Sequence, residues 1–148
     1  MTGRTARPVW PTATPPSAPE GLSWQLTDVA QLPRVRAEVR RHAAAVARAD
    51  EPESTDLRDQ LVLALDEMAR NALRHGGGNA VHATVRLTAD AYLIEVADAA
   101  ASSPPVPAVD RDPSEGGLGL YLIAELATAH GWYVEGGAKF VWALLPRG

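Results

Sequence analysis

Two alternating segments joined by a short turn constrain this chain more than any other part of it. Val81-His-Ala-Thr-Val-Arg-Leu87 puts Val81, Ala83, Val85 and Leu87 on one face. Ala89-Asp90 supplies the turn. Tyr92, Ile94 and Val96 then share a face, and Asp98 continues it at the strand's end. A period of two means a pair of half-buried strands lying on an apolar layer. Asp98 is the exception on its face. A buried carboxylate is costly unless it finds a partner, so the end of this hairpin is expected to hold a polar pairing.

The apolar layer comes from helices. Leu32, Val35, Val39, Ala43 and Val46 recur at helical spacing, with Pro33 in the first turn. Arg34, Arg36, Arg40 and Arg41 decorate this helix and are expected to form a solvated face or, alternatively, a docking surface for an acidic partner. Residues 50–55 form a turn, with Pro52 as breaker and Ser54 or Thr55 as N-cap. A second helix is predicted over about 56–75, ending at the glycines 76–78. Leu61, Leu65, Met68, Ala69 and Ala72 are its core stripe, with Glu67, Asn71 and Arg74 roughly opposite. Residues 99–115 carry four prolines and no periodicity, and a connection this long in a compact domain is usually functional or disordered. Leu118, Leu122, Ile123 and Leu126 predict a third helix stopping at Gly131. Residues 132–134 and 140–145 close the chain as a hairpin around Gly136-Gly137, in which Trp132 and Trp142 serve packing. Ser23-Trp-Gln-Leu26 is a short edge strand. The order βααββαββ predicts an α+β two-layer sandwich, with a mixed, largely antiparallel sheet and helices on one face.

At 148 residues the chain suffices for one domain with a real core. A net charge of −4 without a dense basic run argues against nucleic acid as a partner. The absence of cysteine excludes disulfides and thiolate chemistry, and fits a cytoplasmic location. Residues 1–22 contain Pro8, Pro11, Pro15, Pro16 and Pro19 and no apolar run that would cross a membrane. They are expected to be a disordered tail, leaving the domain at 23–148. No histidine and carboxylate cluster has zinc spacing, and no nucleophile-elbow or Walker-type motif occurs. His42 and His130 are expected to be structural, and His82 falls on the polar side of its strand.

Glu67 and Asn71 lie four residues apart, so a carboxylate and a carboxamide stand one above the other on the second helix. A carboxylate accepts a proton or orients a nucleophile, and a carboxamide oxygen ligates a hard cation such as Mg²⁺. Glu115-Gly-Gly-Leu-Gly-Leu120 places a glycine cluster at the opening of the third helix, where anions bind well. With Asp98 between them, these features resemble the histidine-kinase-like ATPase superfamily, the Bergerat fold. Within it the chain is most similar to small bacterial anti-sigma-factor serine/threonine kinases, over about residues 23–146.

The resemblance implies roles. Glu67 would be the base on the attacking hydroxyl, and Asn71 would hold Mg²⁺. Arg74 and His75 would lie near the phosphates of ATP. Asp98 would read the adenine amino group. Gly117, Leu118, Gly119 and Leu120 would cradle phosphate, and residues 99–115 would be the lid over the nucleotide. Ala100 and Ser102 stand where the family has glycines, and Phe140 falls about where the family has a terminal threonine. The implied function is phosphorylation of an anti-sigma antagonist, with a sigma factor as a further partner and homodimerisation common among relatives. The alternative is a nucleotide-weak module of the same fold that acts by protein contact. A sensor-kinase ATPase domain is less well matched, because His42 lacks the acidic-flanked motif of a phosphate-accepting histidine.

Overall fold

A computed structural model describes residues 10–18, 21–46, 55–75, 80–99 and 118–147. Their elements are β1 (Gly21–Leu26), α1 (Leu32–Ala45), α2 (Thr55–His75), β2 (Val81–Leu87) and β3 (Ala91–Asp98), followed by α3 (Leu118–Leu126), β4 (Ala129–Glu135) and β5 (Ala138–Pro146). A single 3-10 turn, Val29–Gln31, leads into α1. Asp28 caps that turn by accepting from the Ala30 amide at 2.8 Å, while the Gln31 side chain accepts from the Asp28 amide at 3.0 Å. Pro33 then sits at the start of α1, where its missing N–H removes no helical bond.

The sheet has the order β1-β2-β3-β5-β4, and each neighbouring pair is antiparallel. Alternation assigns the faces. Val81, Ala83 and Val85 of β2, Tyr92, Ile94 and Val96 of β3, and Val141, Ala143 and Leu145 of β5 pack with the stripe of α2 and with Val35 and Val39 of α1. Leu93 and Trp142 face the other way and form a second, smaller cluster with Ala18. The helices therefore cover one face of an α+β sandwich, as the element order predicts.

Part of the proline-rich N-terminus departs from expectation. Residues 10–18 are not a free tail; they form a strap around the β4 edge. Trp10 is 2% exposed within the main core, with its ring edge-on to His130 at 4.8 Å between centroids. The Trp132 amide donates to the Pro11 carbonyl, and the Ala13 amide donates to the Trp132 carbonyl, both at 3.0 Å. This makes a short parallel contact between Thr12 and Trp132. The Trp142 indole donates to the Ala13 carbonyl at 2.7 Å, and Ala18 reaches Leu93 and Trp142 on the back face. The prolines leave few amides to pair, so the segment is held by the buried tryptophan, the backbone bonds to Trp132, the Trp142 indole bond and the packing of Ala18 acting together. β1 begins at Gly21, so the folded unit extends beyond the expected start at residue 23.

Gly131 also has a different role from the one its sequence position suggests. It does not stop α3, which ends at Leu126; it lies inside β4. A Cβ there would meet the Pro11 carbonyl and the Trp142 ring, each at 3.0 Å, so glycine admits the strap. Gly136 and Gly137 make the β4–β5 turn as expected, with φ of 60° and 79°. Two successive positive φ values are the mark of a type I′ hairpin, and glycine adopts them without strain.

Two outcomes follow from the strap. Trp10→Ala should lower unfolding free energy by about 3 kcal/mol, the usual loss for a buried large aromatic. Urea denaturation reads this directly, and a loss below about 1 kcal/mol is what an unattached tail gives. Burial also holds the His130 imidazole below its ordinary 6.5. The unfolded chain then binds the proton more readily, so this contribution is present above pH 6.5 and is lost as pH falls below it. His130→Gln should flatten the decline in urea midpoint between about pH 7.5 and 5. An unchanged decline would assign it to other groups.

Candidate functional site

Helix α2 carries the first half of the candidate site. Its buried stripe comprises Leu61, Leu65, Met68, Ala69 and Ala72, widened by Val62 and Ala64. At 100° per residue, Asn71 falls beside that stripe, while Glu67 lies further round, toward the side opposite it. Both are half-buried, and Arg74 beyond them is exposed. Leu63, on the same flank, is 48% exposed. Glu67 and Asn71 are thus partly withdrawn from water, unlike residues on the outer face of an amphipathic helix.

Asp66 fixes the angular setting of α2. One carboxylate oxygen accepts from Arg36 of α1 at 2.6 Å, and the other accepts from Arg70 one turn on at 2.7 Å. The hydrogen bond and charge of Asp66 raise the Arg70 pKa further, and Glu67 adds to the same effect. Arg40 pairs with Asp59 at 2.7 Å, and Arg34 lies 3.8 Å from Glu38 on its own helix. Arg34, Arg40 and Arg41 are exposed, as expected of a solvated face; Arg36, and at the surface Arg40, also join α1 to α2.

The second half lies at the end of β3. Asp98 faces the helix layer, and its partner in register across β5 is Lys139. The lysine Nζ is 3.7 Å from Asp98 Oδ2, with side chains 5% and 2% exposed respectively. The polar pairing expected for Asp98 is thus a buried ion pair. Lys139 is the residue that sequence reasoning missed. Its signal was present: it is the sole lysine, and it alternates with Val141, Ala143 and Leu145 on an apolar strand face. Phe140, expected near the threonine position, turns to the back face and stacks on Tyr133 at 4.8 Å. There Tyr133 donates to the buried Glu95 carboxylate at 2.7 Å. Burial first, and that bond second, push the phenol above its ordinary range.

The third part is α3. Leu118 and Gly119 open it, and His75 closes α2. The Leu120 side chain is buried in the main core, so only its backbone is free for a ligand. Gly117, Ala100, Ser102 and the expected lid beyond Ala99 lie outside the described residues. Among the described residues, no three His, Asp or Glu side chains converge on a metal. A cavity of about 420 Å³ between β1 and α1, lined by Trp24, Arg34 and Glu38, includes none of the candidate site residues. No described helix is long and apolar enough to cross a membrane.

Removing one partner of a buried ion pair leaves the other uncompensated. Asp98→Ala is therefore expected to cost about 3 kcal/mol of unfolding free energy at neutral pH, measured in urea. A cost below about 1 kcal/mol would mean that water already solvates the pair.

None of the curated proteins matches the chain. Residues 28–143 match the family model of the histidine kinase-like ATPase domain, from the 3-10 turn to the middle of β5. That span covers most of the chain and includes Glu67, Asn71 and Asp98, while the strap and β1 precede it. The chain belongs to the histidine kinase-like ATPase domain family.

Proposed function

We propose that this domain binds Mg²⁺–ATP and acts as a regulatory serine/threonine protein kinase on an anti-sigma antagonist, with a sigma factor as a second partner. The observation that carries this reading is the half-buried Glu67–Asn71 pair on one flank of α2 in a fold of this family. Asn71 would hold the cation through its amide oxygen. When bound, the cation neutralises charge on the phosphates. Glu67 would accept the proton of the attacking hydroxyl, and its half-buried setting favours that task over simple solvation. Asp98 would accept a hydrogen bond from the adenine amino group. Arg74, exposed one turn beyond Asn71, adds positive charge at the same flank. Such a protein would regulate transcription in the cytoplasm without touching DNA.

A second reading has an observation of its own. Asp98 is already paired with Lys139, so the base-reading carboxylate is engaged. A domain of this fold that binds nucleotide weakly and works by protein contact is consistent with that pairing.

Calorimetric titration with Mg²⁺–ATP separates the two. The kinase reading expects saturable binding that is lost in Asp98→Asn; absence of heat at millimolar nucleotide would leave only the contact module. Glu67→Gln should then keep binding and lower phosphoryl transfer to the antagonist by about 100-fold or more. Transfer at the unmutated rate would show that another group is the base.

A further inference from the structure

The chain contains thirteen arginines and a single lysine. That lysine, Lys139, is buried beside the carboxylate that would read the base. The two residues differ in ways that bear on this position. A guanidinium holds a carboxylate through a planar fork of two bonds, whereas an ammonium is a compact point charge on a flexible stem. At 3.7 Å the pair is an ion contact looser than a hydrogen bond. The stripe below it, Val96 with Val141 and Ile94 with Ala143, is apolar. The pair therefore closes the end of the core facing the helix layer.

A purine amino group is a neutral donor. To reach Asp98 it must displace, or share the carboxylate with, a charged donor already in place. Out of water, the attraction of an ammonium for a carboxylate is strong even beyond hydrogen-bond distance, so the neutral donor is at a disadvantage. We infer that Lys139 is an internal competitor for Asp98: it occupies the carboxylate that the amino group of adenine would use, and so sets the affinity and base selectivity of the site. This inference rests on the Mg²⁺–ATP reading above. In this arrangement the free domain binds ATP weakly because its own side chain fills the base-reading position. Opening the pair makes nucleotide binding favourable.

The test is calorimetry with Mg²⁺–ATP and Mg²⁺–ITP on the whole chain, comparing the unmutated protein with Lys139→Thr, Lys139→Met and the double variant Asp98→Asn/Lys139→Thr. Inosine lacks the amino group. The threonine hydroxyl leaves Asp98 a neutral donor, so this variant keeps the question open to measurement if Lys139→Met fails to fold. The expected result is a tightening of at least about ten-fold for ATP in Lys139→Thr, absent for ITP and absent in the double variant. Equal gains for ATP and ITP would overturn the inference, because they indicate a loosened fold. Unchanged or weaker ATP binding in Lys139→Thr, with binding by the unmutated protein, would overturn the inference and leave the ATP reading standing. No ATP binding by any form would overturn the ATP reading and the competitor role with it.

Discussion

The structure depends on β3 being covered on both faces. All residues from Ala91 to Val96 are buried. Tyr92, Ile94 and Val96 need an apolar layer on one side, and α2 supplies it with the stripe from Leu61 to Ala72. Leu93 and Glu95 need cover on the other side, where there is no helix among the described residues. Trp142, Ala18 and the strap provide that cover, and Tyr133 satisfies the Glu95 carboxylate. A two-layer sandwich with a bare back face would leave large apolar side chains in water. The strap is therefore part of the core's closure, although it lies before the span that matches the family.

Much of this was legible in the sequence because local period and global packing agree. The β2–β3 hairpin follows from alternation, and α2 follows from its stripe and the glycines after it. What was not legible depended on register and on contacts between distant segments. Composition marks residues 1–22 as unable to build a core, yet Trp10 does not build one; it joins a core that already exists. Gly131 looks like a helix stop because glycine often is one. Its actual constraint, the approach of Pro11 and Trp142, involves residues far away in the chain. Phe140 and Lys139 are neighbours on opposite faces, and only the pairing with β3 decides which of them meets Asp98.

The candidate site inherits the same division. Glu67 and Asn71 were legible by spacing, and Leu63 and Ala64 beside them hint that their face is not fully solvated; how far they are buried was not legible, because a helical wheel does not tell how wide the packed stripe is. Val62 and Ala64 widen it, and Asn71 then falls at its border. Leu120 was placed among binding residues by a motif that concerns backbone, whereas its side chain belongs to the core. Motifs locate elements well. They assign individual side chains only where packing leaves one choice.

The two ends of the site are held by different physics. Glu67 and Asn71 ride on a 21-residue helix whose rotation is fixed by its stripe and by Asp66 gripping Arg36 and Arg70. Their mutual placement follows from helical geometry and tolerates change elsewhere. Asp98 and Lys139 are set by strand register. A shift of one residue between β3 and β5 would send either charge to the back face and leave the other buried alone. The buried pair therefore opposes slippage at the end of the sheet, because any other register strands a charge in the core. Structure and recognition then make opposite demands on one carboxylate. The sheet is best served when Lys139 keeps Asp98 neutralised, and a nucleotide is best served when it does not.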